Sequence, residues 1–171
     1  MTTPQGTVED LFERSIAAEE AAQALYQALA ERFAHAPEAA AYWADLAEDE
    51  RAHIEAIETL FDVLSPAERQ AEADPEAFWK AEELASFSLE ESLRSIETLE
   101  EAYQLAHDLE YSEVNTVFEF ILMTYWDDEE RRRFARSQLR EHVGKLANAP
   151  GKMGNSYWRQ SVTARHGSAE S

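Results

Sequence analysis

Glu50 and His53 lie three residues apart in the stretch Leu46-Ala47-Glu48-Asp49-Glu50-Arg51-Ala52-His53, inside a long helix-forming run. On a helix of about 3.6 residues per turn, that spacing puts a carboxylate and an imidazole on one face, a single turn apart. The apolar residues follow the same stripe, with Ala39, Trp43 and Leu46 before the pair and Ile57 and Leu60 after it. Both polar groups therefore point where a core should be, at a substantial desolvation cost unless something compensates. A metal ion is one compensator, and Glu-x-x-His projecting into a helical bundle is a recurrent way to hold one. In an Ala- and Glu-rich helix the same motif is more often surface decoration. Its place on the apolar stripe, opposite a second inward acid, Glu19, favours the metal.

The elements that must position these residues are helices. Thr7 reads as an N-cap with acids in the first turn after it, opening a helix over about 8–35. Its stripe is Phe12, Ile16, Glu19, Ala22, Tyr26, Leu29 and Phe33. Pro37 suits a first helical position and starts a second helix, about 37–63, which so short a connection makes the antiparallel neighbour of the first. Two further cap signals, Ser65-Pro66-Ala67-Glu68 and Asp74-Pro75-Glu76, mark 64–88 as a crossover carrying short helices, pinned by Phe78, Trp79 and Phe87. A third long helix is predicted over about 89–111, with stripe Leu89, Leu93, Ile96, Glu100, Tyr103 and His107. A fourth is predicted over about 113–146. The fold expected is all-α: an antiparallel four-helix bundle of two helix hairpins joined by the crossover, one domain over 1–147, with an extended or disordered tail at 148–171.

Composition sets the outer limits. Helix formers dominate, with only 5 Gly and 5 Pro in 171 residues. A formal charge of −20 argues against nucleic-acid binding and against adhesion to anionic membranes, and suits a chain that attracts cations. No apolar run approaches the roughly 18 residues needed to span a bilayer. The N-terminus shows no signal-peptide pattern, so a cytoplasmic protein is the default expectation. With no cysteine, thiolate zinc sites and iron–sulfur clusters are excluded.

The two halves echo each other. Arg14-Ser15-Ile16 recurs as Arg94-Ser95-Ile96, and Glu19-Glu20-Ala21-x-Gln23 as Glu100-Glu101-Ala102-x-Gln104. The run around Glu50 is echoed around Glu130. Glu19 is thereby paired with Glu100, and Glu50 with Glu130; Glu19 and Glu50 are 31 residues apart in the first half, Glu100 and Glu130 30 apart in the second.

On these residues the chain resembles the rubrerythrin branch of the ferritin-like superfamily over roughly 8–146. The resemblance rests on Glu19 with Tyr26 seven residues on, on Glu50-x-x-His53, and on Glu97-x-x-Glu100, which is similar to the acidic pair of that family's third helix. It implies a pair of iron ions, with manganese as the alternative metal, held by Glu19, Glu50, His53, Glu97 or Glu100, and Glu130. Further implications are chemistry on peroxide or dioxygen of the peroxidase or ferroxidase type, Tyr26 as the candidate catalytic side chain or as a core residue bonded to a ligand carboxylate, a separate electron donor, and a homodimer. The apolar belt from Val117 to Trp126 fits that dimer or a thick core equally well.

The second half departs from the family pattern, because the position equivalent to His53 is Arg133. With Glu129 inward instead of Glu130, it is Arg132. Arginine stays protonated and cannot ligate. Two alternatives to the enzyme follow. One is an iron-handling protein with little turnover, in which single-metal occupancy suffices. The other is a metal-free scaffold in which Arg132 or Arg133 forms a buried ion pair in place of one metal. The cysteine-paired iron domain of many rubrerythrins has no counterpart in this sequence, so a built-in electron relay is not expected. His107 lies about 10.5 Å of helical rise beyond Glu100, too far for the same ion. His35, His142 and His166, lacking an inward partner, are expected at the surface.

Overall fold

In a computed structural model, which describes residues 5–86, 88–110 and 115–148, the chain forms eight helices and no strand among the described residues. α1 (Val8–Arg32) opens on a capping box. Thr7 Oγ1 accepts from the Asp10 amide while the Asp10 carboxylate accepts from the Thr7 amide, satisfying two otherwise orphan donors. α2 (Pro37–Val63) starts on its proline, which has no amide to waste at the first turn. The crossover holds α3 (Pro66–Arg69), α4 (Pro75–Ala85) and α5 (Leu89–Arg94), each begun by a Ser or Asp side chain accepting from the backbone three residues on. It is also tied to the start of the chain, where Val8 donates to the Ala71 carbonyl and Ala73 to that of Gly6.

The second half departs from the predicted layout in where its helices break. Instead of one helix over 89–111, the chain stops after α5 and restarts as α6 (Leu99–Leu109). The cause is a capping box formed by Thr98 and Glu101, which competes with continued helix. The predicted fourth helix, 113–146, is interrupted as well. α7 (Asn115–Tyr125) ends before Trp126, and α8 (Glu129–Ala147) restarts on Asp128, whose carboxylate accepts from Glu130 and Arg131. The residues of the predicted turn, 111–114, lie outside the described residues, as do Phe87 and the tail from 149.

Contacts along α1 show how these pieces run. Arg32 donates to the carbonyls of Leu93 and Ile96, Tyr26 reaches Glu110, and Phe12 packs edge-on against Tyr125 at 5.3 Å. Partners advance from 93 to 125 as α1 is descended, so α5, α6 and α7 together travel its length in the opposite direction. α8 runs antiparallel to α2, with His142 against Asp49 and Lys145 against Asp45. The hairpin turn of the second half is therefore at 126–128. The result is an all-α, ferritin-like bundle of two helix hairpins joined by a crossover.

Two apolar cores fill this bundle end to end. One gathers Leu11, Phe12, Ile57, Leu60, Phe118 and Ile121; the other gathers Leu25, Leu29, Trp43, Leu46, Ala106 and Leu146. The belt Val117, Phe118, Ile121 and Leu122 is buried inside the chain itself, so it needs no second copy to cover it. Among the described residues no helix is long and apolar enough to cross a membrane.

Candidate metal centre

On each of the four long tracks one polar position interrupts the apolar stripe between the two cores. In α1 it is Glu19, between Phe12 and Ala22. In α2 it is Glu50 with His53, between Ala47 and Ile57. After α6 it is Glu110, between Ala106 and Val117, and in α8 it is His142, between Ala135 and Leu146. All five are buried, none more than 3% exposed.

Their ligand atoms converge in two groups that share Glu50. In the first, His53 Nδ1 lies 3.0 Å from Glu50 Oε2 and 3.5 Å from Glu19 Oε2. In the second, His142 Nε2 lies 3.1 Å from Glu50 Oε1 and 3.1 Å from Glu110 Oε2. Within each group the candidate atoms fall within 4.8 Å of one another. Glu50 thus turns one oxygen toward each imidazole, as a carboxylate between two cations would.

The polar atoms facing each other here are poorly satisfied by the protein alone. Glu19 Oε2, Glu50 Oε1 and His142 Nε2 have no hydrogen-bond partner. His142 Nε2 is close to its two oxygens, but the angles do not direct a hydrogen bond. Each such buried orphan costs about 1–3 kcal/mol, a penalty that coordination to a cation removes. Three carboxylates and two imidazoles are an oxygen-rich donor set, which suits Fe²⁺ or Mn²⁺. The residues present fit a metal site.

Electrostatics point the same way. Burial pushes the Glu19 carboxyl up to about 8, with the nearby Glu50 charge adding to it against the opposing pull of His53. Burial also raises Glu110, again helped by Glu50. Burial opposes charge on His53, but Glu19 and Glu50 outweigh it and raise its imidazole to about 10. His142 is raised likewise by Asp49, Glu110 and Glu50. Glu50 is the exception: burial would raise it, but the flanking His142 and His53 hold it well below the usual range. Without a cation, three clustered carboxylates are balanced only by protons kept on the imidazoles and on Glu19. A metal ion would take the place of those protons.

A second layer holds the ligands in place. His142 Nδ1 hydrogen-bonds Asp49 Oδ2 at 2.9 Å, and Lys145 Nζ binds both Asp49 oxygens at 2.8 and 2.7 Å and Asp45 at 2.9 Å. This carboxylate behind the imidazole fixes which ring nitrogen faces the centre. Tyr26 donates its hydroxyl to Glu110 Oε1, and Asn115 Nδ2 donates to Glu110 Oε2 at 2.9 Å. Burial and the neighbouring carboxylates of Glu110 and Glu50 hold the Tyr26 phenol well above its usual range, so it stays protonated and acts as a donor.

The structure brings Glu19, Glu50, His53 and Tyr26 together as the spacing predicts. It does not bring Glu97, Glu100 or Glu130, all of which are exposed. Glu97 sits in the break before α6, and Glu100 lies in the first turn of α6, whose inward face is Ala102, Tyr103 and Ala106. Glu130 lies in the first turn of α8, a long way along the helix from His142. The buried-arginine scaffold is also corrected. Arg133 is exposed and pairs at 3.5 Å with Glu129 of its own helix, while Arg132 donates to the Trp126 carbonyl. The internal repeat aligned the wrong acids: Glu110 answers Glu19, and His142 answers His53. Three residues before His142, where a second Glu-x-x-His would have its acid, stands Leu139.

Glu110 and His142 had signals in the sequence. Glu110 continues the inward row Tyr103, Ala106 by four, and His142 lies between Leu139 and Leu146 at spacings of three and four. Along its own helix His142 has no visible partner, which is why spacing alone predicts it at the surface. Its partner, Asp49, is 93 residues away.

No curated protein and no solved structure matches the chain. The rubrerythrin family model matches residues 10–132, well over half its length, and it ends ten residues before His142. With the buried Glu/His cluster lying between its two cores, the chain belongs to the rubrerythrin family.

Proposed function

We propose that the chain is a non-haem diiron protein that reduces peroxide, with Glu19 and His53 holding one ion, Glu110 and His142 the other, and Glu50 shared. The observation that carries this reading is the pair of buried ligand groups meeting at Glu50. Iron bound there would supply the two electrons that peroxide reduction needs. Five protein side chains underfill two six-coordinate ions, and Leu139 stands where a second Glu-x-x-His would have its acid. Those open positions support peroxide or dioxygen as the ligand that enters.

The chain's own residues do the rest. Glu50 fixes the spacing between the two halves of the centre. Asp49 holds His142 in the orientation that presents Nε2. Tyr26 and Asn115 hold Glu110 by one oxygen each. The two apolar cores above and below exclude bulk water, which strengthens every interaction within the centre. Re-reduction needs a separate electron donor.

The test is anaerobic loading of the metal-free chain with Fe²⁺, followed by addition of hydrogen peroxide or dioxygen. Binding of about two ions per chain and rapid consumption of one peroxide per ion pair is expected. His142→Ala should reduce the stoichiometry toward one ion and abolish the reaction. Failure to bind iron, or bound iron inert to peroxide, overturns the reading. Faster oxidation by dioxygen than by peroxide assigns the centre to ferroxidase chemistry, which the charge of −20 would serve by attracting Fe²⁺.

A further inference from the structure

A cavity of about 180 Å³ opens beside the candidate centre, and His53 forms part of its wall. Small side chains leave it room on α2 and α8: Ala52 and Ala56 on one helix, Ala135 on the other. Phe118 and Trp126 close its sides. The Phe118 ring stacks on the His53 imidazole with centroids 4.3 Å apart, so an aromatic wall leads directly to a candidate ligand. At the mouth stands Phe134, 65% exposed, one of the few large apolar side chains left in solvent among the described residues. The lining is therefore mostly apolar, with His53, Asp49 and Gln138 as its polar members.

That shape selects a class of molecule. Hydrogen peroxide and dioxygen need no such volume. An apolar cavity of about 150 Å³ takes up benzene, so this one holds a phenyl ring or a short branched alkyl group. An occupant with an apolar body and one polar end would bury the body against Phe118 and Trp126 and point the polar end at His53. We propose that the cavity binds the hydrocarbon part of an organic hydroperoxide and delivers its peroxy group to the centre. This rests on the peroxide reading given above. In the reaction ROOH takes up two electrons and two protons, the O–O bond breaks, and ROH and water are released. The electrons come from the reduced metal pair and are replaced by an external one-electron donor.

The cavity can be tested apart from the chemistry. 2-Phenyl-2-propanol, the alcohol left when cumene hydroperoxide is reduced, has the same body and cannot be reduced further. Titrated into the metal-free chain, it should bind saturably, shifting the alanine methyl resonances of Ala52, Ala56 and Ala135 and the indole resonance of Trp126. Ala52→Phe, built from an exposed position, should fill the space and weaken that binding at least tenfold. In the iron-loaded chain the same substitution should lower the ratio of kcat/KM for cumene hydroperoxide to that for hydrogen peroxide by at least tenfold. Phe134→Ala, a solvent-side change at no cost to the core, should weaken analogue binding as well. Absence of saturable binding, or binding that neither substitution alters, overturns the assignment of the cavity while leaving hydrogen peroxide reduction untouched. Tight analogue binding by a chain whose iron consumes no peroxide of either kind overturns the proposed function, and the hydroperoxide with it.

Discussion

Asp49 shows how much of a metal site can lie in a residue that does not touch the metal. It sits next to Glu50 in sequence, yet it faces outward by one helical step and meets His142 and Lys145 from α8. Burial would raise its carboxyl, but the hydrogen bonds from His142 and Lys145 win and hold it below the ordinary range. It therefore remains a charged acceptor that keeps His142 Nδ1 protonated and Nε2 free for a cation. Replacing it with asparagine preserves the shape and removes the charge. Asp49→Asn is expected to weaken metal affinity about 10–100-fold while leaving the helical content unchanged, as measured by competition with a chelator of known affinity. Unchanged affinity would show that His142 is oriented by packing alone.

At the scale of elements, short capping signals decided where helices stop, and so which acids face inward. A pattern of apolar residues at three- and four-residue spacing is read the same way whether or not the helix is continuous. Across the break between α5 and α6 the stripe shifts, so spacing carried through it puts Glu100 inward where the structure has Glu110. The Thr98–Glu101 capping box that makes the break is local and was readable. Thr98→Ala should lower stability by about 0.5–2 kcal/mol, seen as a lower midpoint of chemical unfolding. By contrast, Arg133→Ala, in the second turn of α8, should change stability by no more than about 0.5 kcal/mol, because Arg133 is exposed and its ion pair is with exposed Glu129. A loss of about 3–5 kcal/mol, the signature of a broken buried pair, would contradict the placement of α8.

For the whole molecule, the buried cluster ties folding to protons and to metal with opposite signs. Folding raises His53 from 6.5 to about 10 and Glu19 from 4.5 to about 8. Both groups hold their protons more tightly folded than unfolded. Their contribution is complete below the unfolded values and is lost as pH rises through the folded ones. Glu50, held well below its usual range, acts the other way, but only in acid. The metal-free chain should therefore lose several degrees of Tm as pH climbs from 6.5 to about 10, at about 2–4 °C per kcal/mol for a chain of this size. Added Mn²⁺ should reverse the trend, since ligands must shed protons to bind and binding then stabilises the fold. Calorimetry across that range should show the metal-dependent rise in Tm widening with pH. A rise that shrinks with pH would mean the cation binds elsewhere.

The sequence by itself determined an all-α chain, the first hairpin, the crossover, and the inward set Glu19, Tyr26, Glu50 and His53. Those follow from periodicity within two uninterrupted helices, where spacing along the chain is spacing in space. Glu110 and His142 were decided only by tertiary structure. Each looks ordinary in its own segment, and each joins the buried cluster because the breaks at 95–98 and 126–128 set the depth at which its helix meets the first hairpin. The cavity beside His53 belongs to the same class. Three alanines and three aromatics, drawn from three helices and the turn at 126–128, leave a space that no local pattern of any one helix could show.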